Sequence, residues 1–322
     1  MSVNKILVTG GSGFIGTNVI KELLSNGNQV LNLDINKPKD GNYLSCWDNV
    51  DITNLDVFKK VVVKFDPDYI IHLAARTDLD GLTLDDYGAN ILGVKNLMSI
   101  IKELGALKKI VITSSMLVCR TGYYPLNQFD FSPTTIYGES KVLTEKIVWE
   151  NKPVCDWAIL RPTSIWGPWF GVPYKNFFDM VISKKYFHIG NNSCTKTYGF
   201  VGNSVYQILS ILFTDTSVEN KKIFFIGDNP PINIEVWGNE IGRELGFKIR
   251  KVPYIFIKLA ALLGDCLQVF HWTFPMNSFR LKNMTTDNIV NLDNTYEVAP
   301  NQPYNRIEGV RETLNWINDQ NK

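Results

Sequence analysis

The sequence predicts an α/β fold: a doubly wound, mostly parallel sheet covered on both faces by helices, followed by a smaller C-terminal α/β region. Three observations predict it. Short apolar strands alternate with amphipathic stretches from the first residues on, a glycine-rich turn joins the first strand to the first helix, and the clean alternation ends after Arg161-Pro162. Apolar strands separated by helices imply parallel pairing with helices on both faces.

The elements follow in order. Ile6–Thr9 reads as a strand, and Phe14–Ser25 as a helix with Ile15, Val19, Ile20, Leu23 and Leu24 on one face. Gln29–Asp34 is a second strand, which completes a βαβ unit of ordinary length. A helix near Leu55–Lys64, the strand Tyr69–Leu73, a helix Tyr87–Leu104 and the strand Lys109–Thr113 continue the alternation. A helix Thr135–Glu150 and the strand Trp157–Leu160 close it. Gly167, Pro168, Gly171, Pro173 and many aromatics then change the texture, which places a boundary near residue 167 and divides the chain into 1–167 and 168–322. Beyond it, Asn203–Phe213, Glu235–Leu245, Ile255–Val269 and Ile307–Ile317 read as helices and Lys222–Ile226 as a strand. Some of these segments are expected to return to the first part.

Composition narrows the class. The 322 residues are 45% hydrophobic and 20% charged, a globular balance. With 33 basic against 32 acidic side chains there is no basic excess for a nucleic acid. Cys46, Cys119, Cys155, Cys194 and Cys266 make an odd count without a C-x-x-C pair, so no disulfide framework or zinc site is spelled out. A reducing, cytoplasmic setting is expected. Ile6-Leu7-Val8 runs straight into glycines and is too short for a signal peptide. The apolar stretch Tyr254–Trp272 is broken by Lys258, Gly264 and Asp265 and suits a core helix better than a membrane element, although Arg250, Lys251, Lys258, Phe270 and Trp272 would suit a membrane interface. His72, His188 and His271 are far apart, so no metal is expected. The aromatics from Trp166 to Phe178 read as packing.

Gly10, Gly13 and Gly16 are spaced by three on the first strand-to-helix turn. Glycine there allows the tight turn and the approach of backbone to a pyrophosphate, while the helix N-terminus offers unpaired N–H groups. Asp34 ends the second strand, where a carboxylate accepts from ribose hydroxyls and repels a 2′-phosphate. The cofactor expected is NAD rather than NADP.

Tyr137-Gly138-Glu139-Ser140-Lys141 lies on a predicted helix, and the spacing of four puts Tyr137 and Lys141 on one face. A phenol with an ordinary pKa near ~10 becomes a useful base beside an ammonium and an oxidised nicotinamide. Thr113-Ser114-Ser115 ends a predicted strand at the sheet edge where doubly wound folds bind ligands, so a hydroxyl there can hold a substrate oxygen.

On these residues the sequence resembles the extended short-chain dehydrogenase/reductase family, in its NAD-dependent sugar-nucleotide epimerase/dehydratase branch, over nearly the whole chain. The resemblance implies a Rossmann-type NAD-binding domain over 1–167 and a mainly substrate-binding domain over 168–322. It implies a cofactor loop of Gly10, Gly13, Phe14, Ile15 and Gly16. Asp51 and Ile52 match its adenine-contacting pair, Leu73, Ala74 and Ala75 the stretch along the cofactor, and Asn90 its helix asparagine. Ser114, Pro162 and Thr163 complete the cofactor side. Ser115, Tyr137 and Lys141 match the catalytic serine, tyrosine and lysine. Thr77, Ser115, Ser164, Asn176, Lys196 and Arg280 are the substrate-side candidates, with Lys282 a further choice for a diphosphate. The resemblance also implies a homodimer.

Departures from the family pattern narrow the reaction. Where 4,6-dehydratases carry an acid pair after the catalytic hydroxyl, this chain has Met116 and Leu117, which transfer no protons. Epimerisation, oxidation or ketone reduction at one carbinol remains. Lys196 stands where the family often has a diphosphate-binding arginine, Ser164 where it often has asparagine, and Gly202-Asn203 where an acid pair is usual. The expected activity is C4 epimerisation of a nucleotide-diphosphate sugar: Tyr137 abstracts the proton, a hydride passes to NAD and returns to the opposite face of a 4-keto intermediate. The alternatives are an epimerase of a polyprenyl-diphosphate-linked sugar with membrane contact, an NAD(P)-dependent keto-sugar reductase or dehydrogenase, and a non-catalytic NAD-sensing regulator.

Overall fold

The computed structural model describes residues 3–320 apart from 191, 216–220, 270, 271, 273 and 275. Period-two burial builds the first strand. In β1 (Lys5–Thr9), Ile6 and Val8 face one helical layer while Leu7 faces the other. Helix α1 (Phe14–Ser25) follows with Val19, Ile20 and Leu23 buried, then β2 (Gln29–Leu33) and the short β3 (Trp47–Asp48). Helix α2 (Leu55–Phe65) starts at Asn54, whose side chain accepts from Val57 N. It leads to β4 (Tyr69–His72), α3 (Gly88–Ile100), β5 (Lys109–Thr113), α4 (Ile136–Asn151) and β6 (Asp156–Pro162). The helix expected to reach Leu104 ends as α at Ile100 and runs on as a 3-10 turn, Ile101–Glu103.

The C-terminal region adds short pieces. They are β7 (Ser164–Trp166), α5 (Tyr174–Ile182), β8 (His188–Ile189), β9 (Thr195–Lys196), β10 (Tyr198–Phe200), α6 (Val201–Phe213) and β11 (Ile223–Ile226). Then come β12 (Ile232–Asn233), α7 (Ile234–Glu244), β13 (Lys251–Val252), α8 (Tyr254–Val269), α9 (Ser278–Thr285), α10 (Asp293–Val298) and α11 (Arg306–Gln320). The seven-stranded parallel sheet has the order β11-β6-β5-β4-β1-β2-β3. β1 pairs with both β2 and β4, so the strand order reverses there and a crevice opens beyond their C-terminal ends.

One apolar layer joins the sheet to α1, α6 and α11 through Ile20, Ile208 and Val310. The other joins it to α2, α3 and α4 through Phe58, Leu97 and Val148. Trp166, Phe178, Phe200 and Trp237 extend the first layer into the C-terminal region, with ring centroids 5.1–5.8 Å apart. The expectation of a core helix over Tyr254–Trp272 holds for one face only. Ile257 and Ala261 are buried with Ile189 and Leu281, while Ile255, Phe256, Leu259, Leu262 and Leu263 are exposed. Among the described residues no helix is long and apolar enough to cross a membrane. Phe270 and His271, named among the membrane-interface and histidine candidates, lie outside the described residues.

Candidate active site

The glycine turn stands at the strand-order reversal. Gly10 has φ +73° and donates to Leu33 O; a side chain there would press on the backbone of Ala74, with a Cβ only 2.5 Å from its nitrogen. Gly13 N donates to Gly10 O at 3.1 Å, and the exposed Gly13 opens α1. No side chain caps α1 and its first turn holds no acid, so the N–H groups of Phe14, Ile15 and Gly16 and the positive end of the helix face the crevice. The buried His72 Nε2 and Thr113 Oγ1 have no hydrogen-bond partner here either. A dinucleotide diphosphate fits such an uncapped cradle.

Asp34, just past β2, accepts from Ser12 N at 3.1 Å and Asn36 N at 2.8 Å, which ties the end of β2 to the glycine turn. Leu73, Ala74 and Ala75 run half-buried along the crevice. Asp51 is exposed and accepts from Thr53, whereas Ile52 is buried against α3. Thr163 donates through both N and Oγ1 to Ile226 O, fixing Pro162 and Thr163 beside β11. Asn90 is buried: its Oδ1 accepts from Arg76 N at 2.8 Å, and its Nδ2 donates to Arg76 O and to Ser140 Oγ at 3.0 Å. It thereby fastens the loop after β4 to α4.

The candidate catalytic set is brought together by two tight turns. Ser115 follows β5, and its Oγ accepts from Leu117 N at 3.1 Å as the cap of a 3-10 turn, Met116–Val118. Thr135 caps α4 by accepting from Gly138 N at 3.0 Å. Gly138 lies so close to Leu117 O that no side chain fits, and this contact brings the first turn of α4 against Ser115. Tyr137 is therefore buried and hydrogen-bonded to Ser115, with Tyr87 packed 6.0 Å away, centroid to centroid. One turn on, the buried Lys141 donates from Nζ to Thr113 O at 2.9 Å.

Burial sets the charges. It pushes the Tyr137 phenol up to about 12, with Ser115 pulling it partly back and Tyr174 and Tyr87 adding to the rise. It pulls Lys141 down to about 8, opposed by the charge of Glu145. In the protein alone the phenolate is therefore not favoured. His72 is held neutral, its pKa lowered to about 3 by burial and by Lys141, and its Nδ1 lies 2.7 Å from Thr9 Oγ1. His188 pairs with Asn239 at 3.0 Å.

The substrate-side candidates are less gathered. Ser164 is buried in β7, and its Oγ accepts from Tyr174 Oη at 2.7 Å. Thr77 is exposed after β4 and Asn176 on α5. Lys196 is half-buried and donates from Nζ to Asn283 O at 2.7 Å, in the last turn of α9, the helix that also carries the exposed Arg280 and Lys282.

Three groups escape sequence reasoning. Tyr174 sits among aromatics that read only as packing, yet its hydroxyl donates to Ser164, and its charge bears on the Tyr137 phenol. Glu145, one turn beyond Lys141, accepts from Ser114 Oγ at 2.5 Å and takes a two-pronged ion pair from Arg161 at 2.7 and 2.8 Å. An i+4 acid after Lys141 is the available signal. Asn288 accepts from Gly122 N at 3.2 Å and touches Met116 Sδ, linking the C-terminal region to the Ser115 turn; nothing in its sequence context marks it.

The chain is similar to known proteins over most of its length. The chain is 23% identical over 321 residues to an N-acetyl-alpha-D-glucosaminyl-diphospho-ditrans,octacis-undecaprenol 4-epimerase of Escherichia coli O157:H7, spanning 97% of this chain and 95% of that one. It is 27% identical over 293 residues to a 3-beta-hydroxysteroid dehydrogenase of Mycolicibacterium neoaurum, spanning 84% and 77%. Its fold matches the crystal structure of a UDP-glucuronic acid 4-epimerase from Bacillus cereus in complex with UDP-glucuronic acid and NAD, with a TM-score of 0.73, 19% identity and coverage of 98% and 99%. The NAD dependent epimerase/dehydratase family model matches residues 6–206, from the first strand through the glycine turn and the Ser115, Tyr137 and Lys141 set, and the chain belongs to that family.

Proposed function

We propose that the protein is an NAD-dependent epimerase inverting C4 of a sugar carried on a diphosphate, with a nucleotide as the first carrier. The observation that carries this reading is the joining of Ser115, Tyr137 and Lys141 in one buried site whose next two residues, Met116 and Leu117, exchange no protons. Ser115 Oγ, oriented by Leu117 N, positions the carbinol oxygen. Tyr137 Oη takes its proton and returns it. Lys141 holds positive charge beneath the site, which a phenol raised to about 12 needs before it can act as a base. Asp34 favours NAD by repelling a 2′-phosphate. When bound, NAD supplies the hydride acceptor that gives the hydride back to the opposite face of the sugar. Thr77, Ser164, Asn176, Lys196 and Arg280 are assigned to the sugar diphosphate, with Tyr174 added because its hydroxyl donates to Ser164.

A second carrier, a polyprenyl diphosphate, is supported by the exposed apolar face of α8 and by the similarity to the E. coli relative. The test is incubation with UDP-, dTDP- and GDP-sugars without added reductant, following C4 inversion by NMR. Inversion without net change in nicotinamide absorbance is expected. Stoichiometric NADH formation on any of them, or on a 3β-hydroxysteroid, would overturn the epimerase. Silence on every free sugar nucleotide, with inversion of a polyprenyl-diphosphate sugar, selects the second carrier.

A further inference from the structure

Helix α8 divides into two faces. Ile257, Ala261 and Gly264 are buried, at the spacing of one helical stripe, against Ile189 and Leu281. On the opposite side Ile255, Phe256, Leu259, Leu262 and Leu263 are each 49–61% exposed, and they fall at the i, i+1, i+4, i+7, i+8 positions of a single stripe. Past the helix end, Trp272 and Phe274 are also exposed, at 69% and 36%. So contiguous an apolar stripe on one element marks an interaction surface rather than the scattered apolar exposure of an ordinary surface.

The charges nearest the stripe along the chain say what kind of surface it meets. Besides Arg280, which is assigned to the sugar diphosphate, residues 247 to 283 hold five basic side chains, Lys248, Arg250, Lys251, Lys258 and Lys282, against the single acid Asp265, in a chain whose net charge is only +1. Lys258 lies on α8 itself, at the border of the stripe, and Lys251 shares an ion pair with Glu235. Asp265 is turned to α9, where it accepts from Ser278 N and Oγ. A second copy of the chain docked two-fold on this stripe would bring two basic rims together, an arrangement that repels. An anionic lipid surface would attract the same rim.

We propose that this face of α8 docks on an anionic lipid bilayer. The helix lies in the interfacial plane, its apolar stripe in the headgroup and acyl boundary, its basic rim among the phosphates and Trp272 at the interface. With 16 residues it spans about 24 Å along the surface and does not cross. The docked face is joined to the catalytic turn. α9 packs on α8, Lys196 donates to Asn283 O at the end of α9, and Asn288 just beyond reaches Gly122 N and Met116. Docking therefore bears on the segment that reaches the Ser115 turn. It does not rest on the epimerase reading, because binding is measured without turnover.

The test is flotation of the full chain with vesicles of phosphatidylcholine and phosphatidylglycerol in equal parts, against pure phosphatidylcholine. Each basic residue at the surface is worth about fivefold in affinity, so the anionic vesicles should bind at least about tenfold more protein and lose it as salt rises. Phe256→Ser/Leu259→Ser/Leu263→Ser should abolish flotation and Lys258→Glu should weaken it by about fivefold or more, with melting temperature and NAD binding unchanged in both. Flotation that survives the triple substitution, or that ignores both salt and Lys258→Glu, overturns the proposal. So does a wild-type chain that ignores vesicles but dimerises through a contact the triple substitution removes. If the triple variant fails to fold, Lys258→Glu and the salt series decide alone.

Discussion

Desolvation acts on Tyr137 and Lys141 in opposite senses, raising one to about 12 and lowering the other to about 8, because it disfavours whichever form is charged. The two residues also differ in what they touch. Tyr137 meets Ser115, while Lys141 reaches the carbonyl at the end of β5. Their variants should separate accordingly. Tyr137→Phe keeps the ring in its packing against Tyr87 and removes only the proton acceptor, so turnover should fall by about 10²–10⁴-fold with NAD affinity nearly unchanged. Lys141→Met should lose both. Single-turnover kinetics beside NAD titration read the two effects, and a Tyr137→Phe enzyme with a tenth of wild-type activity would remove the tyrosine from its role. The i, i+4 spacing made this pair legible in the sequence. The missing lowering of Tyr137 was not, since it depends on where the Lys141 ammonium points.

At the level of elements, β5, α4 and β6 are clamped together beneath the site. Arg161 and Glu145 are 2% and 0% exposed, and Ser114 and Gln128 O complete the set. Removing one charge of a buried pair strands the other. Glu145→Gln should therefore cost about 3–5 kcal/mol in urea unfolding, and Glu145→Gln with Arg161→Met should recover part of it. A loss below about 1 kcal/mol would mean that the pair is solvated rather than clamped. Two elements show why sequence periodicity reaches only so far. α1 carries one apolar stripe and was legible with its face, with Val19, Ile20 and Leu23 buried. α8 is apolar nearly all round, so its composition alone could not tell which stripe meets Ile189 and Leu281 and which meets solvent.

Across the whole molecule, Asp228 gathers chain segments far apart in sequence. Just past β11, its Oδ2 accepts from Phe200 N at 2.8 Å, and its Oδ1 from Asn203 Nδ2 at 3.1 Å and Gln302 Nε2 at 3.0 Å. Burial raises it to about 7 against the pull of these donors and of Arg306. Between the ordinary carboxylate range and about pH 7 the folded protein holds a proton that the unfolded chain has released. Stability from this group is thus greatest at the acid end and is lost as pH rises, by at most about 1.4 kcal/mol per pH unit. Asp228→Asn holds the site neutral, so its unfolding free energy should fall less steeply than the wild type's over that window. Equal slopes in denaturant melts at several pH values would show that Asp228 is ionised throughout.

What the sequence by itself determined is everything written at short range. The alternating strands and helices, the glycine spacing at the first turn, Asp34 at the second strand end and the Tyr137/Lys141 face follow from backbone geometry and local period, which need no partner to be read. The tertiary structure alone decided the rest. It returned β11 to the sheet beside β6, drew Tyr174 to Ser164, set Lys196 against the end of α9, turned Asn90 inward to Ser140, and left the second face of α8 exposed. Each of these outcomes pairs groups dozens of residues apart or chooses between two chemically similar faces, and such choices are settled by packing and by the satisfaction of buried polar groups across the whole chain.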